Sequence, residues 1–149
     1  MPVLLKFSRE IVKMSTKRII KTNKAPMPIA PYNQAVVLDN TIYVSGCLGI
    51  DKDTMKLVEG GAAEECRQAL RNLGHILEAA DSKYENVVKT TVFLNDIADF
   101  QAVNEVYKEF FCKDFPARSA FQVGKLPMNA SVEIEVVAAA GKLKVICCH

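Results

Sequence analysis

The sequence is short of several features that would point to particular protein classes. Its 149 residues include no tryptophan and two histidines, and no apolar run approaches the ~18 residues of a membrane-spanning helix. Two histidines provide few possible ligands for a histidine-based metal site. No glycine-rich phosphate loop of either common pattern occurs. With 19 basic and 17 acidic residues the net charge is only +2, which disfavours a dedicated nucleic-acid binder. From the apolar runs and the histidine count we expect no membrane and no metal partner.

What the chain does contain is typical of one globular domain. Hydrophobic residues make up 50% and charged residues 24% of the sequence. A chain of this length buries roughly two-thirds of its unfolded surface, which is enough for a stable core without disulfides or a structural metal. The five cysteines, odd in number and irregularly spaced, indicate free thiols in a reducing compartment, and we expect a cytoplasmic protein. They are Cys47, Cys66, Cys112, Cys147 and Cys148.

Both ends of the chain look like appendages to a domain at 17–142. Residues 1–16 carry three basic residues among apolar ones, which fits either a short mitochondrial presequence or a disordered extension; Glu10 and a second methionine at Met14 favour the extension. Residues 143–149 read as a frayed tail, since the paired cysteines do not fit a prenylation signal. The sequence also allows a mitochondrial or nuclear pool of the protein.

Hydrophobic periodicity predicts the element order β-ββ-α-β-α-ββ. Apolar residues at three-four spacing predict the helices, and β-branched or alternating segments predict the strands. A loop at 25–34 holds three prolines and cannot be a central strand. We predict strands at 17–22, 36–38, 41–45, 86–94, 119–123 and 131–140, and helices at 61–80 and from Asp96 or Asp99 to about Phe111.

This order predicts a sheet with one uncovered face. Because parallel crossovers are right-handed, both helices should lie on the same side of the sheet. A half-apolar open face is usually an interface, so we expect a homo-oligomer; the alternative is a monomer with scattered exposed apolar residues. The residues expected on the open face are Tyr43, Phe93 and Val137 beside Lys89, Thr91 and Glu133.

Two features near the end of the domain suggest chemistry. Arg118 follows Pro116 and Ala117, and an arginine on a rigid loop suits a bidentate grip on a carboxylate or phosphate; a solvated surface arginine is the alternative. Glu133 and Glu135 lie two apart on the polar side of a core-like strand, which fits an active-site carboxylate, a solvated face or a structural ion pair.

Taken together, these segments resemble the RidA (YjgF) family. The similar segments are 116–119 (PARS), Leu126-Pro127, 132–135 (VEIE), 43–46 (YVSG), 89–94 (KTTVFL), Asp99-Phe100, Val103-Asn104 and 30–35 (APYNQA). In the last of these Ala30 replaces the family's usual glycine, and Cys47 replaces the glutamine that follows the S-G pair. The resemblance covers about Lys17 to Lys142.

The resemblance implies a fold, an assembly and a reaction. The fold is the α+β, chorismate-mutase-like fold, with a mixed sheet and two helices on one face, assembled as a homotrimer with sites in clefts between subunits. The reaction is cofactor-independent hydrolysis of 2-imino acids such as 2-iminobutanoate and 2-iminopropanoate, or their enamines, to 2-keto acids and ammonia. It would protect pyridoxal-phosphate enzymes from reactive intermediates. Family members described as ribonucleases acting on single-stranded RNA, or as chaperone-like holdases, supply the alternatives.

The resemblance also assigns residues. Arg118 would bind the substrate carboxylate, and Glu133 would hold and polarise the attacking water. The chemistry would need no metal and no thiol. The substrate-binding set implied is Tyr32 closing over the substrate, Ser45 and Gly46 lining the pocket, Asn104 near it, Arg118, and the backbone of Ala120. Cys47 would change the shape of the pocket, and a buried structural cysteine is the favoured reading of it over a reactive thiol.

Overall fold

The computed structural model describes residues 14–146. Most of the predicted extension at 1–16, and the Cys147-Cys148 pair, lie outside the described residues. The elements follow the predicted order. They are β1 (Lys17–Ile20), β2 (Ala35–Leu38), β3 (Thr41–Leu48), α1 (Gly61–Ala79), β4 (Val87–Leu94), α2 (Phe100–Phe110), β5 (Ala117–Gln122) and β6 (Val132–Ala139).

The six strands form one mixed sheet in the order β1-β2-β3-β6-β4-β5. β2 and β3 form the predicted hairpin, with Leu38 paired to Thr41 across a two-residue turn. β4 and β5 are parallel, and every other neighbouring pair is antiparallel. The last strand, β6, is therefore inserted between β3 and β4, where it joins the two halves of the chain.

The core lies between the sheet and the two helices. Alternation in β6 buries Val132, Ile134 and Val136, as the sequence predicts. α1 turns its apolar stripe towards them, and that stripe and the inward residues of β3 and β4 form one cluster with α2. The stripe consists of Cys66, Ala69, Leu70, Leu73, Ile76 and Leu77. The described cysteines are free thiols, with Cys47 and Cys66 in this core and Cys112 exposed. Both helices cover the same face of the sheet.

Several boundaries differ from the predictions. β3 continues to Leu48 beyond the predicted end at Ser45, and β5 begins at Ala117 and not at Ser119, so Arg118 lies within a strand and not on a loop. β1 ends at Ile20 rather than Thr22, because the backbone of Thr22 is hydrogen-bonded to the side chain of Gln34 instead of a strand. Apolar residues at three-four spacing, Phe100, Val103, Tyr107 and Phe110, predict the buried stripe of α2. Phe100 is nevertheless 37% exposed, since it is the first residue of the helix and lies beside Arg118. Asp96 accepts a hydrogen bond from the Ala98 backbone and so caps the short turn that leads into α2.

The opposite face of the sheet carries no helix of residues 14–146. Tyr43 on β3 is half exposed and is paired in register with Val137 on β6. Phe93 and Phe121 pack edge to face at 5.5 Å, and Lys89 donates a hydrogen bond to Ser119 at 2.8 Å. The predicted uncovered face is confirmed as a mixture of apolar and polar side chains. No helix in the described part of the chain is both long and apolar enough to cross a membrane.

Candidate active site

A β-bulge in β3 creates the first part of the candidate site. Between Val44 and Cys47 the β3–β6 register shifts, so that Ser45 and Gly46 together oppose Glu135. The bulge brings the Glu133 carboxylate onto Gly46. A Cβ at Gly46 would occupy the position of Glu133 Oε1, so a glycine is required here by close approach.

A cavity of about 300 Å³ lies beside this bulge. Four of the predicted site residues line it: Tyr32, Ser45, Gly46 and Glu133. Most of the remaining wall is apolar and comes from the proline-rich loop, the end of β3 and α1, and includes Met27, Ile29, Leu48, Ile50 and Ile76. The cavity therefore combines one carboxylate with a largely apolar wall, the usual composition of a small-molecule site.

The buried side chain of Gln34 holds the proline-rich loop in place. Its Oε1 accepts from the Thr22 backbone N–H at 2.7 Å, and its Nε2 donates to the carbonyls of Thr22 at 3.0 Å and Pro26 at 2.9 Å. Ser45 fixes the other side of the loop, since its hydroxyl donates to the Asn33 carbonyl at 2.7 Å. These bonds position Tyr32, and Ser45 acts here as a brace for the loop as well as a lining residue.

The surroundings of Glu133 raise the pKa of its carboxyl. Burial raises the pKa of this half-buried carboxyl, and the nearby charge of Glu135 raises it further. Burial, with a smaller contribution from Glu133, raises the pKa of the Cys47 thiol to about 12. Cys47 is therefore a protonated thiol at neutral pH, as the structural interpretation of this residue predicts.

Arg118 anchors a second cluster on the opposite side of the sheet. It lies on the edge strand β5, and its Nη1 donates to Asn104 Oδ1 at 2.7 Å. The guanidinium carbon lies 4.8 Å from the ring centre of Tyr107 and 5.7 Å from that of Phe100. Within the described part of the chain the guanidinium has no carboxylate partner. A cavity of about 340 Å³ beside it is lined by Gln101, Asn104, Tyr107, Lys108, Phe115, Pro116 and Arg118.

One chain does not bring Arg118 and Glu133 together. Arg118 is paired in register with Thr90, whose side chain is buried on the helix side of β4. Glu133 is paired with Phe93, three residues further along the same strand and so on the other face. Ala120, two residues after Arg118, belongs to the arginine side and is partly buried against the core. The predicted site residues thus form two separate groups.

Sequence reasoning missed several residues that position the site. Glu65 on α1 is buried and accepts hydrogen bonds from the Ser131 backbone at 2.7 Å and hydroxyl at 3.0 Å, which anchors the chain just before β6. Its place beside Cys66 on the apolar stripe could have revealed it as a buried, bonded carboxylate. Met128, in the turn before Ser131, has a left-handed φ of 57°. Within residues 14–146 no three His, Cys, Asp or Glu side chains are grouped so that they could hold a metal ion.

The sheet order, the two helices on one face and the mixed strand directions define the class as the α+β, chorismate-mutase-like fold. A family model described as endoribonuclease L-PSP matches residues 22–140. The chain therefore belongs to the endoribonuclease L-PSP family, which is the RidA/YjgF family.

Relatives and solved structures of this family resemble the chain over most of its length. The chain is 62% identical over 133 residues to a Drosophila melanogaster RutC family protein UK114, covering 88% of this chain and 96% of that protein. It is 55% identical over 127 residues to a Homo sapiens 2-iminobutanoate/2-iminopropanoate deaminase, covering 85% of this chain and 93% of that protein.

Among solved structures, a Thermotoga maritima protein described as a putative endoribonuclease superposes with a TM-score of 0.82 at 45% identity, covering 85% of this chain and 100% of that chain. Escherichia coli TdcF with bound serine superposes with a TM-score of 0.79 at 35% identity, covering 83% of this chain and 99% of that chain.

Proposed function

We propose that this protein is a hydrolytic deaminase that converts 2-imino acids and their enamine tautomers to 2-keto acids and ammonia. The observation that carries the proposal is the state of Arg118 and Glu133. Each lies beside a cavity, and within the described residues neither has an ion-pair partner. A guanidinium and a half-buried carboxylate that each lack an ion-pair partner among residues 14–146 suit a small substrate with one carboxylate and one reactive carbon. The identity to deaminases of this specificity supports 2-iminobutanoate and 2-iminopropanoate as substrates.

We propose further that the working site is completed between copies of the chain in a homotrimer. Arg118 and Glu133 leave opposite faces of one sheet, so a single copy cannot present both to one small molecule. A site built from the Arg118 side of one copy and the Glu133 side of the next removes this difficulty. The uncovered sheet face and the exposed edge strand β5 supply surface for such an assembly. The threefold symmetry rests on the family resemblance.

The reaction can be written with the residues in place. Arg118 binds the substrate carboxylate through paired hydrogen bonds, and Asn104 holds the guanidinium in orientation. Glu133 accepts a proton from a water molecule as the water oxygen bonds to C2 of the iminium, which gives a carbinolamine. The proton then passes to the nitrogen, the C–N bond breaks, and ammonia leaves. Loss of the remaining hydroxyl proton gives the 2-keto acid.

The protein's contribution in this scheme is mainly orientation. The iminium carbon is already electrophilic, so binding substrate and water in one geometry supplies most of the acceleration. Tyr32, on the loop held by Gln34, closes the cavity over the substrate. The buried, protonated Cys47 forms part of the wall and takes no part in proton transfer.

The test is a coupled assay in which a pyridoxal-phosphate-dependent threonine dehydratase generates 2-iminobutanoate in the cuvette. Arg118→Ala is expected to abolish acceleration, because the carboxylate loses its partner. Glu133→Gln should retain substrate binding and lower turnover by about 10²–10⁴-fold. Arg71→Ala, which removes an equal charge from the exposed side of α1, is the matched control and should keep the wild-type rate. Wild-type turnover in Arg118→Ala would contradict the proposal.

A ribonuclease activity is tested by the same variants, since the family model and two structural relatives are described as endoribonucleases. Purified wild type and Arg118→Ala are incubated with single-stranded RNA. Cleavage that follows the protein through purification, together with no acceleration of imine hydrolysis, would replace the deaminase proposal.

We further propose where the domain ends and in which compartment the protein works. The family match at 22–140 supports a domain at 17–142 with appended ends at 1–16 and 143–149. A cytoplasmic location rests on the reading of the cysteines as free thiols, which the three described cysteines support.

A further inference from the structure

Three residues on one face of α2 surround the Arg118 guanidinium. Asn104 Oδ1 accepts its Nη1–H at 2.7 Å, and the rings of Phe100 and Tyr107 lie 5.7 and 4.8 Å away. Their spacing of four and three residues places all three on the same side of a helix. Tyr107 differs from the other two because it is only 4% exposed and so has little freedom of its own.

The hydroxyl of Tyr107 links its ring back to the strand register of Arg118. The hydroxyl lies 2.9 Å from Thr90 Oγ1 in a buried hydrogen bond. Thr90 is the residue of β4 that pairs with Arg118 on β5. The Arg118 backbone is therefore paired with Thr90, Thr90 is hydrogen-bonded to Tyr107, and the Tyr107 ring contacts the Arg118 guanidinium. Phe111 supports the ring by stacking on it with centroids 4.4 Å apart.

We propose that Tyr107 is a positioning residue for the proposed deaminase reaction, whose buried, hydrogen-bonded ring holds the Arg118 guanidinium ready for the substrate carboxylate. The inference rests on the proposed function of Arg118. A free arginine side chain loses rotamer freedom when it binds a ligand, and a fixed aromatic platform reduces that loss beforehand. The contact between cation and ring adds attraction of its own.

The electrostatic state of Tyr107 is compatible with this role. Burial raises the pKa of its hydroxyl, while the Thr90 hydrogen bond and the Arg118 charge act in the opposite direction. The hydroxyl stays protonated through the neutral range and keeps its bond to Thr90. A purely structural aromatic would explain the burial and the Phe111 stacking, but it would not require the ring to lie under a guanidinium.

The experiment compares Tyr107→Leu and Tyr107→Phe with wild type in the coupled imine assay and in calorimetric binding of 2-oxobutanoate. Tyr107→Leu removes the ring and is expected to raise KM and the Kd of the keto acid about tenfold, with a smaller change in kcat. Tyr107→Phe keeps the ring and loses only the hydroxyl bond, so the rise should be about threefold. Wild-type KM and Kd in both variants would overturn the inference, and Tyr107→Phe decides it if the leucine variant does not fold.

Two further variants separate positioning from general destabilisation. Val106→Ala, at a buried position on the same helix, should lower Tm and leave KM unchanged. In an Arg118→Ala background, Tyr107→Leu should cause no further rise in Kd, because its effect passes through the arginine. An equal rise in both backgrounds would show that Tyr107 acts independently. If wild type binds and hydrolyses but the Tyr107 variants match it, only this inference fails; if wild type does neither, the proposed function fails and the inference with it.

Discussion

At the scale of single residues, the two glutamates of β6 have different environments although they share one face. Glu133 lies half-buried over Gly46, and Glu135 is exposed. Burial and the Glu135 charge together raise the pKa of Glu133. A carboxylate that must accept a proton from water works only when ionised, so turnover should fall as pH drops through this raised pKa.

Glu135→Gln removes the like charge and should lower the pKa of Glu133. The acid limb of the kcat profile is therefore expected to move to lower pH. The measurement is kcat against pH in the coupled assay for wild type and variant. Burial is the larger cause of the raised pKa of Glu133, so the acid limb should remain above the ordinary pKa of a glutamate.

The matched control for this prediction is Glu78→Gln, an exposed glutamate on α1. Its profile should overlay the wild type. An unchanged acid limb in Glu135→Gln would mean that Glu133 is not the group whose ionisation limits turnover.

At the scale of elements, the bulge in β3 is the feature that shapes the carboxylate side of the site. It inserts one residue relative to β6 and leaves Gly46 with no side chain under the Glu133 carboxylate. Bulges commonly redirect side chains next to functional sites. Here the bulge makes room for a carboxylate within the strand pair itself.

Gly46→Ala should displace the Glu133 carboxylate while the sheet remains formed. The three atoms nearest to the added methyl group all belong to the Glu133 side chain, so the strand pairing can survive the change. A displacement of about 1 Å at a catalytic group can cost about 100-fold in rate, and we expect a loss of that order in kcat with a small change in Tm.

Gly124→Ala serves as the matched substitution, because a Cβ at Gly124 meets nothing within 4 Å. It should leave kcat at the wild-type value. Full activity in Gly46→Ala would remove the close approach of Glu133 from the explanation of the site.

At the scale of the whole molecule, the uncovered sheet face connects the assembly of copies to catalytic activity. If Arg118 of one copy works with Glu133 of another, dissociation must abolish activity even though each copy stays folded. Tyr43 is half exposed at the middle of this face, between Val36 and Val137 in the strand register.

Tyr43→Lys should therefore weaken association and activity together, because a charge placed on a contact surface must be desolvated when copies assemble. Light scattering during size-exclusion chromatography measures the oligomer, and the coupled assay measures turnover on the same fractions.

Ala79→Lys introduces the same charge on the exposed side of α1 and should change neither property. A Tyr43→Lys monomer with wild-type turnover would contradict the shared site, and a wild-type protein that is monomeric at micromolar concentration would contradict the assembly.

The sequence by itself determined the elements and their faces. Alternation in β6 predicted its buried side, three-four spacing predicted α1, and the handedness of crossovers predicted an uncovered sheet face. These features follow from local periodicity, which is a property of consecutive residues. The segments around Arg118 and Glu133 identified both residues as candidates, since their motifs are short and continuous in the chain.

Only the tertiary structure decided how these parts meet. The insertion of β6 between β3 and β4, the bulge at Ser45 and Gly46, and the contact of Tyr107 with Arg118 all depend on pairings between distant segments. Local patterns state which way a side chain points from its own strand. They do not state which strand lies beside it, and for that physical reason the separation of Arg118 and Glu133 onto opposite faces emerged only from the fold.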